Sequence, residues 1–483
     1  MDSEDSSPEI VPDALFRILR ETPELTNAYL VGGCVRDWML GCPVKDFDIE
    51  VFGLDYEQLV AALQRWGKTD LVGRSFGVVK LTLPQQQTFD FTIPRRDSKV
   101  APGHKGFQIA FDPAIGPREA AARRDFTINS LMYDPREKRV LDFFGGEEDL
   151  RHRVLRHTTA AFVEDPLRVL RGMQFAARFG LRAELETVEL CRSMKGHYSE
   201  LAVERVREEW FKWASKSTIP SAGLHFLAAS EWIEHFPELT ALRGVPQEPA
   251  WHPEGDVFVH TCHCCDALVN LPGWQNADEE TRIVLSFAIL THDFGKVSTT
   301  VESCKDGESR IISPGHEEAS VPLAESFLGR FRTPNAIVER VAPLVRNHMA
   351  HVQEVSDRTV RRLSNRLQPE NIEDLCLVMT ADASGRPPRP PTVPIVVTKL
   401  REKAGELEVH QSAPKAILLG RHLLKLGMPP GPGMGALLNR AYEAQLEGRF
   451  FDLAGALSWL ATDMPTEHWE VVERARTADP EGL

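Results

Sequence analysis

The chain has 483 residues, 42% of them hydrophobic and 26% charged, with a net charge of −14. This is the composition of an ordinary globular protein with room for two to four domains. No apolar run approaches the ~18 residues of a membrane span, so a membrane partner is not expected. Taken alone, the acidic balance argues against a nucleic-acid partner, because binding phosphates needs local Lys and Arg, and DNA is not expected. The start, MDSEDSSPEI, is acidic and lacks the basic and apolar regions of a signal peptide, and a cytoplasmic location is expected. Eight cysteines are too few for a disulfide framework.

After an N-terminal extension (1–27), residues 28–155 carry the strand signals. AYLVGG, DFDIEVFG, FGVVKLTL, QTFDFTI and INSLMYD are β-branched or aromatic runs separated by turn residues. Gly32-Gly33 mark a turn, and Arg36 follows on a helix. Asp46 and Asp48 sit at i, i+2, so on a strand both point to one side. Two hard oxygen ligands on one side suit Mg²⁺ when phosphates complete its shell. A solvated turn is the plainer reading of a lone D-x-D. Asp90, mid-strand in QTFDFTI, is the candidate third carboxylate of a two-metal site. Residues 97–118 read as a long Gly/Pro-marked loop, functional or mobile. Arg124, in ARRDFTINS, is placed to meet triphosphate charge with a bidentate fork. GGEEDL (145–150) reads as a hinge or a helix cap.

From about residue 156 the periodicity turns helical, and residues 156–230 read as a helical neck. Residues 151–182 hold seven arginines against Glu164 and Asp165. Such a local basic stripe serves a nucleic acid that the whole chain would repel. Asp165, Arg168 and Arg171 recur at i, i+3, i+6 and are expected along one helix side. An Asp–Arg pair accepts from an exocyclic amine and donates to a ring acceptor. Cytosine and adenine present that combination, whereas uracil and guanine present the opposite polarity. Residues 217–256 read as a connector.

Residues 245–385 form a second helical body. His260, His292, Asp293 and His316 are spaced to come from separate helices, with Lys296 following the His-Asp doublet. Mixed N/O donors of this kind suit a transition metal, whose bound water attacks phosphate. Cys262, Cys264 and Cys265 lack a second ligand pair at zinc spacing and read as buried helix thiols. GRPPRPPTVP (385–394) reads as a stiff linker. A helical tail follows over 395–483, where Lys415, Arg421 and Lys425 are candidate RNA contacts or ordinary surface charge.

Taken in order, GGCVRDWMLG, KDFDIE, RRDFTIN, GGEEDL and EDPLRVLR resemble the class II tRNA nucleotidyltransferases and bacterial poly(A) polymerases of the polymerase-β superfamily. The resemblance is close over roughly 28–230. It implies an α+β fold, with a mixed-sheet nucleotidyltransferase head followed by an all-helical neck, body and tail. It implies addition of C, C and A from CTP and ATP to tRNA 3′ ends, with Mg²⁺ held by Asp46 and Asp48 and Asp90 as third carboxylate. Gly33, Arg36 and Arg124 would contact the nucleotide, and Asp165, Arg168 and Arg171 would read the base. The 97–118 loop resembles one linked to switching from C to A. Gln174 departs from the family pattern, which has arginine there, so a CC-adding, A-adding or poly(A) variant stays open.

Residues 245–385 are similar to the HD phosphohydrolases. That resemblance implies a metal held by His260, His292, Asp293 and Asp382, with Ni²⁺, Mn²⁺, Co²⁺ or another divalent ion. It also implies a secondary phosphatase or 2′,3′-cyclic phosphodiesterase activity. His348 is followed by Met349 rather than Asp, so a single metal is expected. The rival readings are an HD hydrolase whose head only docks RNA, and an RNA chaperone with both sites inactive.

Overall fold

The computed structural model describes residues 10–44, 46–70, 77–99, 107–305, 308–352, 354–463 and 469–480. It divides into two units, residues 1–236 and 237–483. The division falls between the expected neck and the expected body.

Among the described residues, the first unit opens with nine strands. They are β1 (Ala28–Val31), β2 (Asp48–Val51), β3 (Lys68–Asp70), β4 (Val78–Thr82), β5 (Thr88–Thr92), β6 (Arg95–Lys99), β7 (Phe107–Phe111), β8 (Met132–Asp134) and β9 (Arg139–Leu141). Seven form one mixed sheet in the order β3-β4-β5-β2-β1-β8-β9. Alternation sets its two faces: Phe89 and Phe91 are buried, while Thr88, Asp90 and Thr92 turn to the other side. β2 and β5 are parallel neighbours, with Asp48 opposite Asp90. The sequence of β2 therefore delivers one carboxylate beside the one on β5.

Three expectations change here. β2 begins at Asp48, so Asp46 lies just before the strand and the i, i+2 alternation does not govern it. The stretch read as a loop over 97–118 holds the hairpin β6–β7 and the helix Pro117–Ala122; residues 100–106 lie outside the described residues. Within the stretch read as a connector (217–256), Pro220–Ala229 is a helix. Proline at a first helical turn loses no hydrogen bond and presets φ, so Pro220 starts this helix rather than breaking one.

The neck packs the helices Leu167–Phe179, Val203–Lys216 and Pro220–Ala229 around Trp210, Trp213 and Phe226. Each fully buried aromatic contributes roughly 2–3 kcal/mol. Gly223 lets two helices close, because a Cβ there would lie 2.6 Å from the Met173 carbonyl oxygen. A short parallel pair joins β10 (Val154–Leu155), just before the neck, to β11 (Arg182–Ala183) within it.

In the second unit, the helices Val257–Val269, Glu279–Thr291, His316–Arg330, Asn335–Asn347 and Ile372–Ser384 enclose a core. A hairpin, β12 (Val301–Lys305) with β13 (Glu308–Ile312), projects between two of them. The tail helices from Ile395 to Thr477 include a separate cluster around Leu423, Ala456 and Leu460. Cys262, Cys264 and Cys265 are buried free thiols, as read from the sequence. No helix among the described residues is long and apolar enough to cross a membrane.

Candidate active sites

A cleft of about 800 Å³ in the first unit collects the head residues. Gly32, Gly33, Arg36, Asp48, Arg124, Asp165, Arg168, Arg171 and Gln174 all line it. The turn at Gly32 has φ +71°, and a Cβ there would sit 2.4 Å from Arg124 Nη1. Glycine is thus required twice, for the backbone angle and for the arginine's approach. Gly33 then opens the helix Gly33–Met39.

Arg36 is buried and committed. Its Nε and Nη2 donate to Asp37 Oδ1 at 2.8 and 2.6 Å, and its Nη1 donates to Asn129 Oδ1. Its guanidinium also lies 4.6 Å from the Phe179 ring centre. It borders the cleft mainly as a brace. Arg124 Nη2 pairs with Glu50 Oε2 at 3.2 Å.

The carboxylates fit a divalent cation. Burial raises the Asp48 pKa; Asp90, Asp46 and Glu50 push the same way against Arg124. Asp90 Oδ1 is buried with no hydrogen-bond partner, and Lys80 Nζ is 3.7 Å from it. Accumulated negative charge and an orphaned carboxylate oxygen are what a hard cation relieves. Among the described residues, Asp46, Asp48 and Asp90 do not close to single-ion spacing; groups that do lie in the second unit.

The base-reading segment differs in detail from the helical stripe expected. The helix starts at Leu167, and Asp165 precedes it, accepting from the Leu167 N–H at 3.0 Å. The partner of Asp165 is Arg205, from the helix Val203–Lys216, with Nη2 donating to Oδ2 at 2.7 Å. Burial alone would raise the Asp165 pKa, but Arg205 and the Leu167 N–H hold it low. Arg168 instead donates to two backbone carbonyls, Ala161 O and Arg123 O, both at 2.7 Å. Arg171 Nε donates to Asp125 Oδ2 at 2.6 Å. Asp125 is buried, which would raise its pKa, yet Arg171, Asn129 and the Phe126 N–H keep it below the usual carboxylate value. Gln174 is buried at the cleft wall, and its Nε2 has no partner. The sequence reading missed Arg205, which lies 40 residues beyond Asp165 in an ordinary-looking helix.

The second unit brings His260, His292, Asp293, His316, His348 and Asp382 together, all buried. Asp293 faces two ways. Its Oδ2 is 3.2 Å from His292 Nε2 and 3.6 Å from His260 Nε2, and its Oδ1 is 3.3 Å from His316 Nε2. Asp382 Oδ1 lies 3.2 Å from His260 Nε2. Lys296 Nζ pairs with Asp293 Oδ2 at 2.7 Å, though neither Asp293 oxygen nor His292 Nε2 has a hydrogen bond of good geometry. Burial, with His292 and His316 nearby, lowers the His348 pKa to about 3, so its ring is neutral and able to ligate. The donors fit a borderline metal, and Cys264 Sγ, 3.4 Å from His260 Nε2, belongs to the same group.

Two neighbours escaped the sequence reading. Glu254 Oε1 meets His252 Nδ1 at 2.9 Å and His260 Nδ1 at 2.7 Å. Burial alone would raise its pKa, but these two imidazoles bring it down to about 2. A carboxylate on one ring nitrogen leaves the other aimed at the metal position. The H-P-E triplet at 252–254 was the available signal.

A mixed sheet carrying paired carboxylates, joined to an arginine-lined helical cleft, defines a nucleotidyltransferase head. Residues 28–156 match the poly A polymerase head domain. The multifunctional CCA protein of Pasteurella multocida is 37% identical over 376 residues, covering 74% of this chain and 84% of that protein. That of Halorhodospira halophila is 38% identical over 370 residues, covering 74% and 83%. The chain belongs to the multifunctional CCA protein family. Among solved structures, the Bacillus stearothermophilus CCA-adding enzyme in complex with CTP shares the fold, with TM-score 0.60 at 20% identity over 97% of this chain and 99% of that one. The Thermotoga maritima CCA-adding enzyme complexed with tRNA does so with TM-score 0.57 at 19% identity, over 99% and 98%.

Proposed function

We propose that this protein adds C, C and A to tRNA 3′ ends from CTP and ATP, without a nucleic-acid template. The observation that supports the reading is the cleft, where Asp48 stands in an arginine-lined wall that includes Asp165, with Asp90 as the register partner of Asp48 on the neighbouring strand. The tRNA 3′-oxygen bonds to the α-phosphorus, the bond to the bridging oxygen breaks, and pyrophosphate leaves.

CCA-adding transferases need a divalent metal, and we assign Mg²⁺ to Asp46, Asp48 and Asp90. When bound it supplies positive charge to the triphosphate and lowers the cost of ionising the attacking hydroxyl. Gly33 admits the phosphates near the backbone, Arg124 faces them, and Arg36 braces the cleft wall through Asp37 and Asn129. Asp165 accepts from the exocyclic amine of C or A, and Arg168 and Arg171 shape the cleft around it. The cytoplasm, where tRNA ends mature, is the setting this activity calls for. Incubation with tRNA lacking CCA, labelled CTP and ATP tests the assignment. Sequencing of the products should show CCA; absence of label overturns the transferase reading, and ends of CC, A or poly(A) overturn the full CCA assignment.

The second unit supports a second activity. His260, His292, Asp293 and Asp382 form a metal-dependent phosphohydrolase site that opens cyclic or monoester phosphates. Phosphate-ester cleavage of 2′,3′-cyclic AMP with Ni²⁺ or Mn²⁺ tests it, and activity undiminished in His292→Ala overturns it.

A further inference from the structure

The helix Val257–Val269 carries three buried cysteines, and one of them faces the histidine cluster. Cys264 follows His260 by four residues, so both project from one side of the helix. Cys262 and Cys265, two and five residues beyond His260, are turned roughly 160° and 140° away from it. Among the described residues, His260, Cys264, His292 and Asp382 each offer a donor atom within 4.8 Å of the others.

The spacing within this group suits one ion. Ligands on a tetrahedral zinc, with sulfur at about 2.3 Å and nitrogen or oxygen at about 2.0 Å, stand roughly 3.3–3.5 Å apart. Cys264 Sγ is 3.4 Å from His260 Nε2, and Asp382 Oδ1 is 3.2 Å from the same nitrogen. Room for the sulfur is built in. A Cβ on Gly385 would lie 2.4 Å from Cys264 Sγ and 2.7 Å from the Cys264 backbone nitrogen. Gly385 has φ −77°, so glycine serves there for space rather than for its backbone angle. His292 Nε2, fully buried in the same group, has no hydrogen-bond partner. A buried polar atom left in that state costs free energy that a bound cation recovers. The Cys264 thiol itself reaches the Asp382 carbonyl oxygen only at 3.8 Å, so no strong bond holds its proton.

We infer that Cys264 is a thiolate ligand of the metal in the second unit, beside the histidine and aspartate donors already named. The inference rests on the metal site of the phosphohydrolase reading and adds a sulfur donor to it. On binding, the thiol proton passes to water, and a sulfur lone pair forms the bond to the ion. Thiolate is a soft donor, so it biases the site toward Zn²⁺ and Co²⁺ over Mn²⁺ more than nitrogen and oxygen donors do.

Loading the full-length protein with Co²⁺, with excess Mg²⁺ to fill the head, reads the bond directly. The wild type should show sulfur-to-cobalt charge-transfer absorption in the near ultraviolet. Cys264→Ser should lose it, and Cys262→Ser and Cys265→Ser should keep it. Absorption that is absent from the wild type, or that survives in Cys264→Ser, overturns the inference. A second measurement needs no variant: X-ray absorption of the wild type with one equivalent of Zn²⁺ should show a sulfur neighbour at about 2.3 Å. A shell of nitrogen and oxygen alone overturns the inference. Metal titration separates ligation from damage to the fold. Cys264→Ser should bind Zn²⁺ at least about tenfold more weakly, since even partners behind the ligands cost that much. Its Mn²⁺ affinity should stay within about threefold of the wild type, and equal losses for both metals overturn the inference. Cleavage of 2′,3′-cyclic AMP is measured on the same samples. A sulfur bond without cleavage defeats the phosphohydrolase reading and leaves Cys264 a ligand, whereas cleavage without a sulfur bond defeats this inference alone.

Discussion

Arg205 holds Asp165 from the side, with Nη2 2.7 Å from Oδ2 and Nη1 3.4 Å from Oδ1. The carboxylate proposed to read the base is therefore ionised and aimed before any nucleotide arrives. A bond to a charged partner contributes roughly 1.5–3 kcal/mol. Arg205→Ala should lower kcat/KM for CTP and ATP about 10- to 100-fold and narrow their advantage over UTP. Arg205→Lys, which loses the bidentate fork, should fall between. Steady-state kinetics with the three nucleotides checks both.

Asp48 opens β2 with its surface facing the cleft, outside the sheet's packed core, so its removal costs the fold little. Asp48→Ala should leave the melting temperature near that of the wild type and cut nucleotide addition about 1,000-fold, or roughly 4 kcal/mol of barrier. Label incorporation and circular dichroism measure the two effects separately.

Asp125 carries a pH prediction. Its folded pKa lies below the unfolded value of about 3.9. Its stabilising contribution is fully present above pH ~5 and declines as pH falls through the folded pKa. Asp125→Asn leaves Arg171 without its buried partner and should cost about 3–5 kcal/mol at pH 7. The gap between variant and wild type should shrink by pH 3. Urea unfolding at both pH values tests the sign.

Gln174 Nε2 is buried and unpartnered in the cleft wall. Gln174→Met removes that unmet donor without opening a hole, so stability should change by less than about 1 kcal/mol. If the amide serves the nucleotide, as its position at the cleft indicates, KM for CTP or ATP should rise about two- to tenfold. An unchanged KM assigns the amide no part in binding.

His292→Ala should abolish Ni²⁺- or Mn²⁺-dependent cleavage of 2′,3′-cyclic AMP and leave CCA addition within twofold. Metal analysis of the purified variant should show loss of the bound ion.

The sheet was readable because alternation is local: Phe89-Asp90-Phe91 states which residue faces the core and which does not. The histidine cluster was readable because each member carries its own chemistry. Arg205 was not, because nothing within VERVREEW marks one arginine among several as the partner of a carboxylate 40 residues earlier. Arg168 was assigned to the base, yet its fork is taken by backbone carbonyls, which no side-chain pattern reveals. The strand pair 95–99 and 107–111 was hidden by the Gly and Pro residues between and after its strands, and the helix at 220–229 by the proline that begins it.

The two arginines nearest Asp165 differ in a way that bears on solution conditions. Arg205 holds a titratable, partly wet carboxylate, whereas Arg168 holds the carbonyls of Ala161 and Arg123. Carbonyl oxygens neither take up protons in this range nor lose a partner to dissolved ions. Salt and acid thus loosen one jaw of the cleft and leave the other set. Added electrolyte should erode fidelity toward the base before it disturbs the join between residues 123 and 161.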